Sequence, residues 1–128
     1  MRDTQSRQGM AVAEFALVMA LILLPLLAGV VDFSRLMEVR DALTHSARDG
    51  VVLASRGAEV NPAVEASVAA AGLSDEKLTI TVSTGADQPG LGQEVTVALA
   101  YDLTGMTLFS WNWLIGDVMR VQACAKME

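Results

Sequence analysis

One carboxylate, Glu14, interrupts an otherwise uncharged stretch spanning residues 10–31 of this 128-residue chain. An acid at the centre of a membrane helix costs on the order of 2.5–3.5 kcal/mol, and less near the interface, so an acid in this position calls for a positive partner. Gly9 stands directly ahead of the stretch and ends a short polar segment. If a peptidase cut after Gly9, the new α-amino group of Met10 would lie one helical turn from Glu14. That i, i+4 spacing permits a charge pair within the chain, or the same pairing with Glu14 of a neighbouring subunit.

Other chemistries find little support. No Ser, His and Asp grouping has a plausible nucleophile elbow, and no acidic cluster has the spacing of a metal-binding loop. Residues 85–92 are glycine-rich but precede a strand-like segment, whereas a phosphate-cradling loop opens a helix. His45 is the one histidine and Cys124 the one cysteine, so neither a zinc cluster nor an intrachain disulfide can form. The formal net charge of −6 repels phosphate backbones, and nucleic acid is not an expected partner. The chain reads as a non-enzyme that needs no cofactor.

The elements that must hold Gly9, Met10 and Glu14 follow from hydropathy. Hydrophobic residues make up 52% of the chain and aromatics only 5%, the mixture of a membrane helix joined to a light soluble part. As a helix, residues 10–31 would extend about 33 Å at 1.5 Å per residue, enough for a hydrocarbon core of roughly 30 Å. Arg2 and Arg7 against Asp3 favour a cytoplasmic N-terminus. Pro25 would kink this helix rather than end it. After Val31 the pattern becomes periodic, with Phe33, Leu36, Met37, Leu43, Ala47, Val51 and Ala54 at three- and four-residue spacing among charged residues. One long helix over residues 10–55 is expected, half in lipid and half outside, ending near Gly57. Asp32, at the outer end of the apolar stretch, is expected to be solvated at the interface, and His45 to be exposed.

Asn61 as N-cap and Pro62 at the first helical position predict a short second helix reaching Gly72. Leu78, Ile80 and Val82 alternate with Thr79, Thr81 and Ser83, residues 94–102 alternate through Val95, Val97, Leu99 and Tyr101, and residues 118–127 alternate weakly, with Cys124 pointing outward. Three such strands predict an antiparallel meander packed on the outer half of the long helix. The fold class expected is therefore α+β, comprising a long N-terminal helix with a transmembrane and an amphipathic half, a short second helix and a three-stranded antiparallel sheet. Its domains are a leader over residues 1–9, a transmembrane helix over 10–31 and an extracytoplasmic domain over 32–128.

The segment RQGMAVAEFALVMALILLPLLAG resembles the class III signal of type IV prepilins, a leader ending in glycine, glutamate at the fifth mature position and then an apolar helix. The pair Glu14 and Phe15 resembles the Glu-Tyr pair of the Tad (Flp) branch, with phenylalanine in place of tyrosine. EVRDALTHSARDGVVLAS and the closing VQACAKME resemble the following helix and the last strand of TadE-like pseudopilins. The resemblance implies a minor pilin or pseudopilin of a Tad-type pilus, serving adhesion or secretion, held in the bacterial inner membrane and able to enter the pilus. It implies cleavage between Gly9 and Met10 by a prepilin peptidase, with Glu14 and Phe15 used in recognition or assembly. It also implies other pilins, inner-membrane assembly components and membrane lipid as partners.

A plain signal anchor with an incidental acid is the simpler reading of the N-terminus. It would make the chain an uncleaved envelope binding protein with a small extracytoplasmic domain. In GMTLFSWNWLIG, over residues 105–116, apolar and aromatic residues crowd a connection between strands. Packing over the sheet or under the helix is one account of them. A partner or membrane-interface patch of Phe109, Trp111 and Trp113 is the other.

Overall fold

A computed structural model describes residues 3–84, 92–108 and 116–126, with side chains from Gly9 onward. Along the chain come helix α1 (Asp3–Ser55), helix α2 (Asn61–Ala70), a 3₁₀ turn (Asp75–Lys77) and strands β1 (Leu78–Thr84), β2 (Glu94–Asp102) and β3 (Val118–Lys126). The sheet order is β1-β2-β3 and both pairings are antiparallel, so the α+β meander expected from alternation is the one observed.

Helix α1 begins at Asp3, earlier than the apolar stretch requires. The i→i−4 ladder propagates readily once nucleated, and a single interior glycine costs only about 1 kcal/mol, so Gly9 does not stop it. The helix also runs through Pro25 without ending. Its surroundings change at one residue. From Gly9 to Val31 nothing is buried, and only Ala28 and Gly29 are half covered. From Asp32 a buried stripe starts and continues through Leu36, Val39, Leu43, Ala47, Val51 and Ala54. Steps of three and four residues keep these side chains on one helix face. Phe33, expected on that face, is 60% exposed. It lies one residue, about 100° of helix, off the stripe.

The core is the space between this face, α2 and the inner face of the sheet. Val60, Val64 and Val68 cover it from α2, while Val95, Val97, Leu99 and Tyr101 cover it from β2. Gly50 marks the closest approach: a methyl group there would stand 2.8 Å from Cγ2 of Val64 and 3.2 Å from Cγ1 of Val60. Beside it the hydroxyls of Ser46 and Ser67 hydrogen-bond at 2.9 Å, satisfying two polar atoms where the helices meet.

Both helices end in the same way. Gly57 N–H donates to Ala54 O and Ala58 N–H to Leu53 O; Gly72 N–H donates to Ala69 O and Leu73 N–H to Val68 O. With positive φ at Gly57 and Gly72 these are Schellman motifs. The start of α2 differs from expectation by one position. Val60, not Asn61, occupies the cap, with helical φ and ψ and no side-chain cap bond. Burial of Val60 and the Val64 N–H to Val60 O bond hold that first turn in place of an asparagine cap.

On β2 the inward row is fully buried, as the central strand of the sheet should be. Along β1 the row fades from half-buried Leu78 and Ile80 to Val82, which is 44% exposed at the strand's far end. On β3, Met119, Val121, Ala123 and Ala125 face the core, and Arg120, Gln122, Cys124 and Lys126 face outward. The Cys124 thiol is exposed, within 3.3 Å of the Thr96 hydroxyl.

Candidate processing and assembly site

Gly9, Met10, Glu14 and Phe15 all lie on α1, ahead of the folded domain and fully outside its core. Helix geometry fixes their relation. Met10 and Glu14 are one turn apart on one side, and Phe15 is rotated about 100° from Glu14. Met10 is 68% and Phe15 67% exposed, and the apolar side chains through Val31 are exposed likewise. Among the described residues, α1 is the helix long and apolar enough to cross a membrane, and it is compatible with a single-pass anchor.

Gly9 has open space around it, since a methyl group placed there would meet nothing within 4 Å. Its identity is therefore not dictated by packing within this chain. Helical backbone continues on both sides of the bond between Gly9 and Met10. A peptidase would have to unwind that stretch, which is easiest at the residue with the poorest ordinary helix propensity.

At the opposite end of the apolar stretch the structure corrects one sequence expectation. Asp32 is not solvated; it is 1% exposed, and its Oδ1 accepts the backbone N–H of Leu108 at 2.8 Å. The signal was available in the spacing. Stepping back four residues along the core stripe from Leu36 lands on Asp32. One turn further out, Arg35 Nη1 donates to the carbonyl of Met106 at 3.5 Å. Two side chains of α1 thus meet the backbone at the start of the connection between β2 and β3.

That connection is closed at its base by Leu103 N–H donating to Asp117 O at 2.8 Å. Next to the base, Asp102 accepts the Thr104 hydroxyl and backbone N–H, while Lys77 Nζ donates to Thr104 O at 2.6 Å. The Thr104 hydroxyl and then its N–H hold the Asp102 carboxyl below its ordinary pKa, against an opposing effect of burial, with the charge of Lys77 adding the smallest lowering effect. Phe109, Trp111 and Trp113 lie outside the described residues. His45 is exposed, as expected. Among the described residues no group of three or more His, Cys, Asp or Glu side chains could hold a metal ion.

No curated protein and no solved structure matches the chain. A family model does match, that of TadE-like protein, over residues 9–51. The match opens at Gly9, takes in Glu14 and the whole exposed apolar stretch, and continues along the buried stripe as far as Val51. Over residues 9–51, about a third of its length, this chain is similar to TadE-like protein.

Proposed function

We propose that the protein is a structural subunit, a minor pilin or pseudopilin, of a Tad-type type IV pilus or a related secretion apparatus, and that it matures by hydrolysis between Gly9 and Met10. The observation that carries this reading is the coincidence of the TadE-like segment with a helix that is exposed from Gly9 to Val31 and then enters a small folded domain. The peptidase supplies the catalysis; this chain supplies the scissile amide. Water adds across the amide bond, leaving a carboxylate on Gly9 and an α-amino group on Met10. That amine becomes the partner of Glu14, within the chain or between neighbouring subunits.

The apolar stretch anchors the subunit in the inner membrane with its N-terminus cytoplasmic and residues 32–128 outside. Association with other pilins and assembly components proceeds by helix packing in lipid, where close van der Waals contact and paired polar groups replace the hydrophobic effect. Phe15 belongs to the same recognition surface, and Phe109, Trp111 and Trp113 supply a partner or membrane-interface patch. The protein itself performs no reaction.

Replacing Glu14 in cells that build the apparatus tests the reading. Glu14→Gln, which removes the charge and keeps the shape, is expected to block assembly or processing. Assembly and trimming at the wild-type level in this variant would contradict the proposed pairing.

A further inference from the structure

We infer that Asp32 and Arg35 seat the start of the β2–β3 connection on the outer membrane surface, making residues 105–108 a second lipid contact beside the spanning helix. The inference rests on residues 10–31 crossing the bilayer. Asp32 is the first residue after that stretch and, among the described side chains, the first buried one on α1. Its carboxylate reaches across 76 positions of sequence to bond the Leu108 N–H at 2.8 Å. Arg35, one turn further from the lipid, donates to Met106 O at 3.5 Å. One α1 side chain accepts from the connection and the next donates to it, which fixes both its position and its direction along the helix.

Lipid is the occupant that continuity favours. Arg35 stands four residues beyond Val31, about 6 Å along the helix, and the headgroup region on each side of a bilayer is about that thick. The backbone bonded at Asp32 therefore lies where acyl chains give way to headgroups. There Leu108 presents a side chain that is 64% exposed, and the Arg35 guanidinium retains N–H groups for phosphate oxygens. A buried carboxylate at this depth is tolerated because it is hydrogen-bonded to backbone, and that requirement makes it a positioning residue.

The chain carries its own reporter, because its two tryptophans, Trp111 and Trp113, follow Leu108 in the same connection. The full-length protein is reconstituted in phosphatidylcholine–phosphatidylglycerol vesicles containing phosphatidylcholine brominated near the headgroup end of its acyl chains. Tryptophan emission is then compared with that in unbrominated vesicles. Wild-type emission is expected to be quenched, Asp32→Ala to lose the quenching, and Asp32→Asn, whose amide oxygen still accepts from Leu108, to keep most of it. Should Asp32→Ala lose its helix and sheet signal in circular dichroism, Leu108→Pro takes its place. That variant removes the donor, leaves the carboxylate, and is expected to lose the quenching too. Unquenched wild-type protein, or full quenching in the folded variant that lacks the bond, would overturn the inference. A retained leader peptide would count against the pilin reading alone, so the two failures are distinguishable.

Discussion

Gly9 and Glu14 share a property that separates them from residues kept for folding: neither is buried in the domain. A methyl group at Gly9 meets open space, and alanine favours helix over glycine by about 1 kcal/mol. Gly9→Ala is therefore predicted to leave the circular dichroism and melting of the detergent-solubilised protein unchanged or slightly improved while stopping leader removal, as read by intact mass. Loss of the fold in that variant would mean that glycine serves packing after all. Asp102 makes a contrasting prediction. Its pKa is lowered in the folded state, so its contribution to stability is present above the ordinary carboxylate pKa and lost as pH falls below it. The difference in melting temperature between wild type and Asp102→Asn should be larger at neutral pH than under acid conditions. A difference independent of pH would assign the effect to geometry rather than charge. Asp32 was misread from sequence because an acid beside an apolar run resembles a solvated flank. Its place on the core stripe, four residues before Leu36, outweighed its charge once Leu108 supplied a donor.

Among the elements, the junction of α1, α2 and β2 depends on the absence of a side chain at Gly50. Branched carbons at that position would drive into Val64, whose own stiff side chain cannot swing away, so Gly50→Val is predicted to destabilise the domain by about 1–3 kcal/mol. Thermal unfolding in micelles checks this, and wild-type stability would show that α2 can move away freely. Gly57 ends α1 with φ +71°, and an L side chain forced into the left-handed region costs about 1–2 kcal/mol. Gly57→Ala should fall in that range by the same measurement. Both helix ends were legible because glycine at a C-terminus has few other uses. The alternation of β2 was legible because a central strand buries every second residue. The start of α2 and the extension of α1 to Asp3 were not, since tertiary burial of Val60 and helix propagation override local capping signals. Phe33 was assigned to the wrong face for a related reason: hydrophobicity alone does not separate a core residue from one at a lipid boundary.

The whole molecule divides at Val31 and Asp32 into an exposed apolar rod and a domain built around the continuation of the same helix. Helix α1 passes from one half to the other without a break in its helical backbone. The domain's α+β order was legible from the change in apolar period along the chain. The seating of the start of its β2–β3 connection on α1 was not, because tertiary bonds from Asp32 and Arg35 carry it. Intact-mass measurement of the protein purified from its native membrane tests the account most directly. A mature species beginning at Met10 is the predicted result. A chain that still carries residues 1–9 in cells with a working apparatus would contradict it.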